Sequence, residues 1–516
     1  MIGPNDKASG AAARSETPFL GLNRPQYAAI PEMLLSALAW HAALATGEGP
    51  RAKHLIDGRE FDALVFEHAD DKQPKSFSIG RTLPPEGSER RSAMANALAT
   101  ELHLEQARAA SVVEILLEDL KALRPPKAKE ISATPLSLEA SLLQDAPGLA
   151  RARNPANYAA IIERMNVLGS GKTCAAAGLV NALSARGSGN PAWLDDAIGA
   201  MTPPALKEAA ERARDWAAQG PGVVGRPPAW LIDERQTPYA WFARTWKTLT
   251  TGGWIERMPR RRWVDWSACV LRTALGAGYL FEMNLVYHLA AAVASDEPEE
   301  DVVQRALARN EPLLSWDERA RVSSRDVRGR VRLVAQRGTS CLELLRRWRK
   351  SNEDEANKAN PFPDPTDFDD RSDGLEAWIR AARTWRDRAG ADLVRAQVAA
   401  SMEVGNVPTP AKNVDETIMY ALRARVERPG TADLYGLLRT RGRYAIVDPG
   451  QEWFVAISSL AVGAAGATGR VADVEDAFRA IGLRPGFPVI VERLELSGLA
   501  RSSHDADEAI ELATAF

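Results

Sequence analysis

The stretch Asn154-Pro155-Ala156-Asn157-Tyr158-Ala159-Ala160-Ile161-Ile162-Glu163-Arg164-Met165, running into Asn166-Val167-Leu168-Gly169-Ser170-Gly171-Lys172-Thr173, decides the fold. Its second half lies one residue from the phosphate-binding pattern G-x-x-x-x-G-K-[ST], with Asn166 where the first glycine belongs. A phosphate cradle of that kind follows a buried β-strand. Here the upstream segment has helical spacing, and Glu163 and Arg164 stand directly before the loop. We therefore read Gly169-Ser170-Gly171 as a turn between two helices, with Lys172 in solvent near a helix start. The chain then falls in the mainly α class.

The nucleotide alternative still names residues. Gly171 would let backbone N–H groups wrap a phosphate, Lys172 would bridge the terminal phosphates of ATP or GTP, and Thr173 would hold Mg²⁺. Asp233, at the end of the apolar run Ala229-Trp230-Leu231-Ile232-Asp233-Glu234, would be the second metal-side acid. Pro227-Pro228 before that run and Arg235-Gln236-Thr237-Pro238 after it argue against a buried strand. The preferred reading has no cofactor.

Composition sets wide bounds. The chain has 516 residues, 45% hydrophobic and 26% charged, with a net charge of −3. A globular chain of this length buries a core without metal or disulfide staples, and its near-neutral balance argues against bulk electrostatic binding of nucleic acid. Cys174, Cys269 and Cys341 are far apart and odd in number, which points to a reducing, cytoplasmic compartment. The N-terminus lacks the basic flank and apolar stretch of a signal peptide. Trp263–Ala294 and Trp453–Gly469 are apolar, but charge in the first and shortness in the second make both buried core helices, with no membrane contact. Alanine and arginine abundance fits a GC-rich bacterial genome.

Along the chain we expect a flexible arm over 1–20, an α+β module over 21–124 and a proline-rich linker near 125–134. A central helical domain over 135–350 follows, then an acidic, proline-rich solvated loop over 351–373, a helical segment over 374–440 and a terminal domain over 441–516. In the module, strands are expected at Phe61–Phe66 and Ser76–Ile79 and one long helix from Glu89 to Leu123. In the terminal domain the order is Trp453–Ala465 helix, Val471–Ile481 helix, a turn at Gly482–Gly486, Phe487–Leu496 helix, then Gly498-Leu499-Ala500-Arg501 and a polar tip. That order resembles a winged-helix domain, an architecture that serves DNA binding, dimerisation and protein docking.

Charge selects among those uses. A DNA-reading helix offers Arg, Lys, Asn or Gln to bases and phosphates, whereas Phe487–Leu496 offers Glu492, Arg493 and Glu495. Protein docking or dimerisation is the better expectation. For direct contact with nucleic acid or an acidic partner, the best cluster is Arg257, Arg260, Arg261, Arg262 and Trp263, flanked by Trp254 and Trp266. Arginine and tryptophan can clamp phosphates and stack bases, yet Trp263 and Trp266 lie one turn apart and also read as a core face. The run Arg346-Arg347-Trp348-Arg349-Lys350 ends a helix, where cations complement its dipole. Asp57, Glu60, Asp62, Glu67 and His68 lack the acid–lysine spacing of a nuclease. The six histidines are scattered, so no catalytic or metal-binding residue is expected. The function expected is a non-enzymatic scaffold or adaptor holding other proteins in a bacterial assembly. Helical subunits with a terminal winged helix occur in DNA-processing and phage-defence complexes.

Overall fold

A helix that is apolar all round has to be surrounded by protein, and the one spanning Trp263 to Ala294 organises the molecule. The computed structural model describes residues 21–22, 31–45, 53–56, 59–62, 83–84, 86–120, 134–143, 158–185, 192–222, 228–232, 237–306, 313–353, 359–368, 370, 373–403, 409–425, 433–501 and 510–516. The expected arm and Ser76–Ile79 lie outside them. The N-terminal part holds α1 (Pro31–Leu44), the hairpin β1 (Lys53–Ile56) and β2 (Arg59–Asp62), α2 (Glu89–Glu101), α3 (Gln106–Asp119) and α4 (Leu138–Leu142). The middle holds α5 (Tyr158–Leu168), α6 (Ala175–Ser184), α7 (Ala192–Met201), α8 (Pro204–Ala218), α9 (Pro238–Thr251), α10 (Trp254–Arg257) and α11 (Arg260–Ala294). There follow α12 (Glu299–Ala306), α13 (Arg328–Lys350), α14 (Gly374–Ala389), α15 (Ala391–Met402) and α16 (Thr409–Leu422). The chain closes with β3 (Leu438–Arg441), β4 (Tyr444–Val447), α17 (Gln451–Val462), β5 (Thr468–Arg470), α18 (Val471–Ala480), α19 (Phe487–Leu496), β6 (Ala500–Arg501) and β7 (Glu511–Ala513). The protein is mainly α-helical.

At 35 residues, α11 is about 50 Å long at 1.5 Å per residue. It packs against α1, α9, α13, α14, α15, α16 and α17. Small residues permit this crowding: a Cβ on Gly276 would sit 2.4 Å from Leu422, and one on Gly338 of α13 would sit 2.4 Å from the Met283 carbonyl oxygen. The charges carried inward by α11 are each answered. Glu282 accepts from the Leu22 amide at 2.9 and 2.7 Å and from the Tyr239 hydroxyl at 2.7 Å. Burial holds its carboxyl above the usual range, against those two hydrogen bonds and the field of Arg164. Arg272 reaches Asp433. Buried apolar residues from Leu22 to Leu512 form one continuous cluster.

Several expectations change. The helix expected over Glu89–Leu123 is two, because His103 takes a left-handed conformation (φ 52). The Leu102 and Leu104 amides then close back on Leu98 and Ala99, a Schellman-type stop without glycine. The helical segment expected over 374–440 is broken at Gly390 (φ 104). Ala229–Leu231 is a 3-10 turn, in line with the prolines that argue against a strand there. The hairpin β3–β4 was not anticipated, and β2 begins at Arg59 rather than Phe61. The segment 351–373 is not wholly solvated: Phe362 is buried among Trp348, Trp378 and Trp385.

At the C-terminal end, β7 lies between β5 and β6, antiparallel to both. Helices α17, α18 and α19 pack beside this small sheet around Trp453, Phe454 and Phe478, with Trp316 from the segment before α13 closing the cluster. No helix among the described residues is long and apolar enough to cross a membrane.

Candidate functional site

The Gly-Ser-Gly turn is built by Asn166. Helix α5 ends as the Gly169 amide donates to Met165, and the Gly171 amide donates to the Asn166 carbonyl at 2.8 Å. Ser170 is left-handed (φ 65). The buried Asn166 side chain donates to the Thr173 carbonyl at 2.7 Å, tying both ends of the turn. A Cβ at Gly171 would lie 2.2 Å from that side chain, so this glycine serves close packing. Lys172 and Thr173 are exposed. Asp233 falls outside the described residues.

Beyond the turn, α6 begins with N–H groups that lack a partner inside the helix. Glu163 takes two of them: its carboxylate oxygens accept from Ala175 and Ala176, each at 2.8 Å. A carboxylate from the preceding helix thus stands at the position a phosphate takes at a helix N-terminus. Burial pushes the Glu163 carboxyl up to about 7, against the two amide donors, which pull it down. The folded protein therefore holds this proton more tightly than the unfolded chain, whose group titrates near 4.5. The stabilisation is complete below pH 4.5 and is lost as pH rises through 7, an effect on the order of 3 kcal/mol for this one group. In Glu163→Gln, denaturant midpoints measured from pH 5 to pH 8 should lose that downward slope. An unaltered slope would assign it elsewhere.

The second candidate is the arginine–tryptophan cluster. Its aromatic half is core: Trp254, Trp263 and Trp266 are fully buried, Trp254 and Trp266 pack at 5.2 Å, and the Trp263 indole donates to the Leu249 carbonyl. Most of its basic half is bound internally. Arg260 is buried, donating to the Leu136 carbonyl at 2.6 Å and facing Asp195 at 3.3 Å. Arg261 binds Asp265 and the Asp119 carbonyl, and Arg262 pairs with Glu452. The expectation of a free binding surface is corrected for Trp263 and Arg260, which lie in the interior. Arg257 alone of the five is exposed, its guanidinium lying against Gly466. Beside it opens a cleft of about 770 Å³ lined by Leu116, Asp119, Trp193, Arg257, Arg261 and Phe516. Its lining is mixed: apolar side chains together with the arginines and the acids Asp119 and Glu256.

Other chemistry is structural. Trp348 is buried and donates to Gln397, while Arg346 and Arg349 face Glu343 and Asp364. His41 is a core histidine, pushed down to about 4 by burial. The cysteines are buried free thiols, each pushed up to about 12 chiefly by burial. No group of three metal-ligating side chains occurs among the described residues. Glu60 and Asp62 lie on β2, while Asp57, Glu67 and His68 are outside the described residues. The role of Glu163 was not read from sequence, and its one signal was an acid a single helical turn before Asn166.

The exposed side chains of α19 are different in kind. Phe487 is 52% and Leu496 75% exposed, with Glu492 and Glu495 exposed between them. Arg493 is held inward, 2.7 Å from Glu318 and 3.7 Å from Asp448. No protein-family model matches the chain, and no curated protein matches it.

Proposed function

We propose that this chain is a non-enzymatic scaffold or adaptor that holds partner proteins in a bacterial cytoplasmic assembly, one that processes nucleic acid or acts in phage defence. The observation that carries this reading is the set of side chains that α19 exposes. Large apolar groups stand in solvent at its two ends, Phe487 in the first turn and Leu496 in the last, with Glu492 and Glu495 exposed between them in sequence, while the one arginine of the helix is used internally. Exposed apolar groups interspersed with charge fit a protein contact. Carboxylates at that position repel a phosphate backbone.

We read the terminal module as a winged helix used for docking. Its order of helix, strand, helix, helix, strand, strand, with β7 central, supports that reading, and its third helix is the one that carries these exposed groups. Occupation of the α6 N-terminus by Glu163 weighs against the nucleotide alternative.

The test is co-purification from native lysate by wild type and by Phe487→Glu with Leu496→Glu. Both side chains are exposed, so the double variant should keep the wild-type melting temperature within about 2 °C. It should lose its partner proteins. Identical partner sets for the two would remove α19 as the docking element.

A further inference from the structure

Outside both candidate sites, arginines accumulate on one surface. Residues 319–332, Arg-Ala-Arg-Val-Ser-Ser-Arg-Asp-Val-Arg-Gly-Arg-Val-Arg, hold six arginines and one acid. The hairpin β3–β4 adds Arg439, Arg441 and Arg443 around a tight tip at Gly442 (φ 62). The fold stitches these two segments together. The Val327 amide donates to the Ala445 carbonyl at 2.8 Å, and the Ala445 amide donates to Asp326 at 2.8 Å. Arg325 donates to the Val447 carbonyl at 3.1 Å. The one acid of the first segment is thereby used on backbone amides, its own helix start included.

What remains is unbalanced positive charge. Arg319, Arg321, Arg328 and Arg330 are exposed, and among the described residues none has a carboxylate within ion-pair distance. Arg443 is exposed and lies over the Tyr444 ring at 5.0 Å. Arg441 faces Asp448 at 3.2 Å yet keeps 57% of its side chain exposed. The acids at the margin include Asp317, Glu318, already bound by Arg493, and the neighbours Asp415 and Glu416, the first interacting with Arg332 and Arg328. Helix α13 starts here with no acid in its first turn, and Asp326 takes the amide of its first residue, Arg328. In a chain whose net charge is −3, such a concentration calls for an external anion.

We propose that the β3–β4 hairpin and the arginine surface beside it form a contact for duplex DNA. A two-stranded ribbon fits the major groove, which places Arg441 and Arg443 at the tip towards bases. Arg319, Arg321, Arg328 and Arg330 then lie on flanking phosphates. Each exposed cation of this surface is arginine, not lysine. The planar guanidinium fork pairs two at a time with the oxygens of phosphate and carboxylate alike; the groove-sized ribbon is what favours duplex DNA over an acidic protein, and competition by poly-glutamate separates the two. This surface differs from the Arg257–Trp263 cluster and does not depend on the docking role of α19.

The test uses the full chain and a fluorescein-labelled duplex of about 20 base pairs, roughly two helical turns, followed by anisotropy across a salt series. Wild type should bind with a steep salt dependence. The quadruple variant Arg319→Ala, Arg321→Ala, Arg328→Ala, Arg330→Ala should bind at least about tenfold more weakly, its log–log salt slope reduced by about 3 to 4. Arg443→Ala should weaken binding with little change of slope, and Arg257→Ala should leave binding unaltered. Unchanged melting temperatures check that each variant folds. The proposal is overturned if wild type does not bind at low salt, if the quadruple variant matches it, or if phosphatidylserine vesicles or poly-glutamate compete as well as DNA at equal charge.

Discussion

Asp433→Ala should lower the unfolding free energy by about 3–5 kcal/mol, the cost of breaking a buried ion pair from one side. Asp433 is 1% exposed and Arg272, on the central helix, 4%. Their contact is 2.9 Å, and the same carboxylate accepts from the Arg425 and Tyr435 amides. Arg272 in turn donates to the carbonyls of Ala421 and Arg423. The pair thus clamps α11 to the end of α16 and the segment leading to β3. Alanine at 433 leaves a guanidinium without its counter-charge in the interior and two amides without an acceptor. Asp433→Asn keeps some of those bonds and should lose less. The double change Arg272→Met, Asp433→Leu should cost far less than either truncation alone, because it removes both charges together.

The same carboxyl sets an acid limit. Burial alone would raise it, but Arg272, Arg425 and the two amides outweigh burial and hold it below its ordinary 3.8. Its stabilisation is present above that value and lost as pH falls below it. Denaturant titrations should show this acid limb in wild type and not in Asp433→Ala. A loss below about 1 kcal/mol at neutral pH would place the pair among contacts of no consequence for stability.

Phe362→Ala is the second large effect, about 3–5 kcal/mol for a buried aromatic. The ring is 1% exposed. Its centroid lies 4.8 Å from that of Trp385, 5.4 Å from Trp348 and 6.2 Å from Trp378. Asn352 grips the Phe362 backbone from both sides, at 2.7 and 2.9 Å, and the Trp378 indole donates to the Pro363 carbonyl. The prolines around Phe362 reduce the chain entropy lost on docking. Truncation should speed proteolysis within 351–373 and change the tryptophan emission spectrum. Proteolysis at the wild-type rate would mean the ring does not anchor this segment.

Much of the helical architecture was legible because apolar residues recur at helical spacing. Phe487–Leu496 has the boundaries its spacing predicts, and α11, α17 and α18 match theirs within a few residues. The break at His103 left no signal, since neither glycine nor proline marks it and the left-handed residue is set by Leu102 and Leu104 turning inward. The hairpin β3–β4 was hidden because Arg439, Thr440, Arg441 and Arg443 dilute its apolar alternation. The burial of Phe362 was hidden because the acids and prolines around it dominate local composition, whereas its three aromatic neighbours come from helices on either side.

Local order therefore follows from sequence: the helical class, the turn at Gly169–Gly171, and the acidic and apolar character of α19. Periodicity and turn chemistry act over a few residues, so they can be read from neighbours. Which charges remain free to act was decided only by the tertiary structure. The partners of Arg260, Arg261 and Arg262 include Leu136, Asp195, Asp119 and Glu452, which lie 65 to 190 positions away. A cluster that is conspicuous in sequence is thus largely consumed inside the fold. Two modest arginine segments, more than 100 residues apart, become one exposed positive surface, because electrostatic balance depends on distance in space and not along the chain.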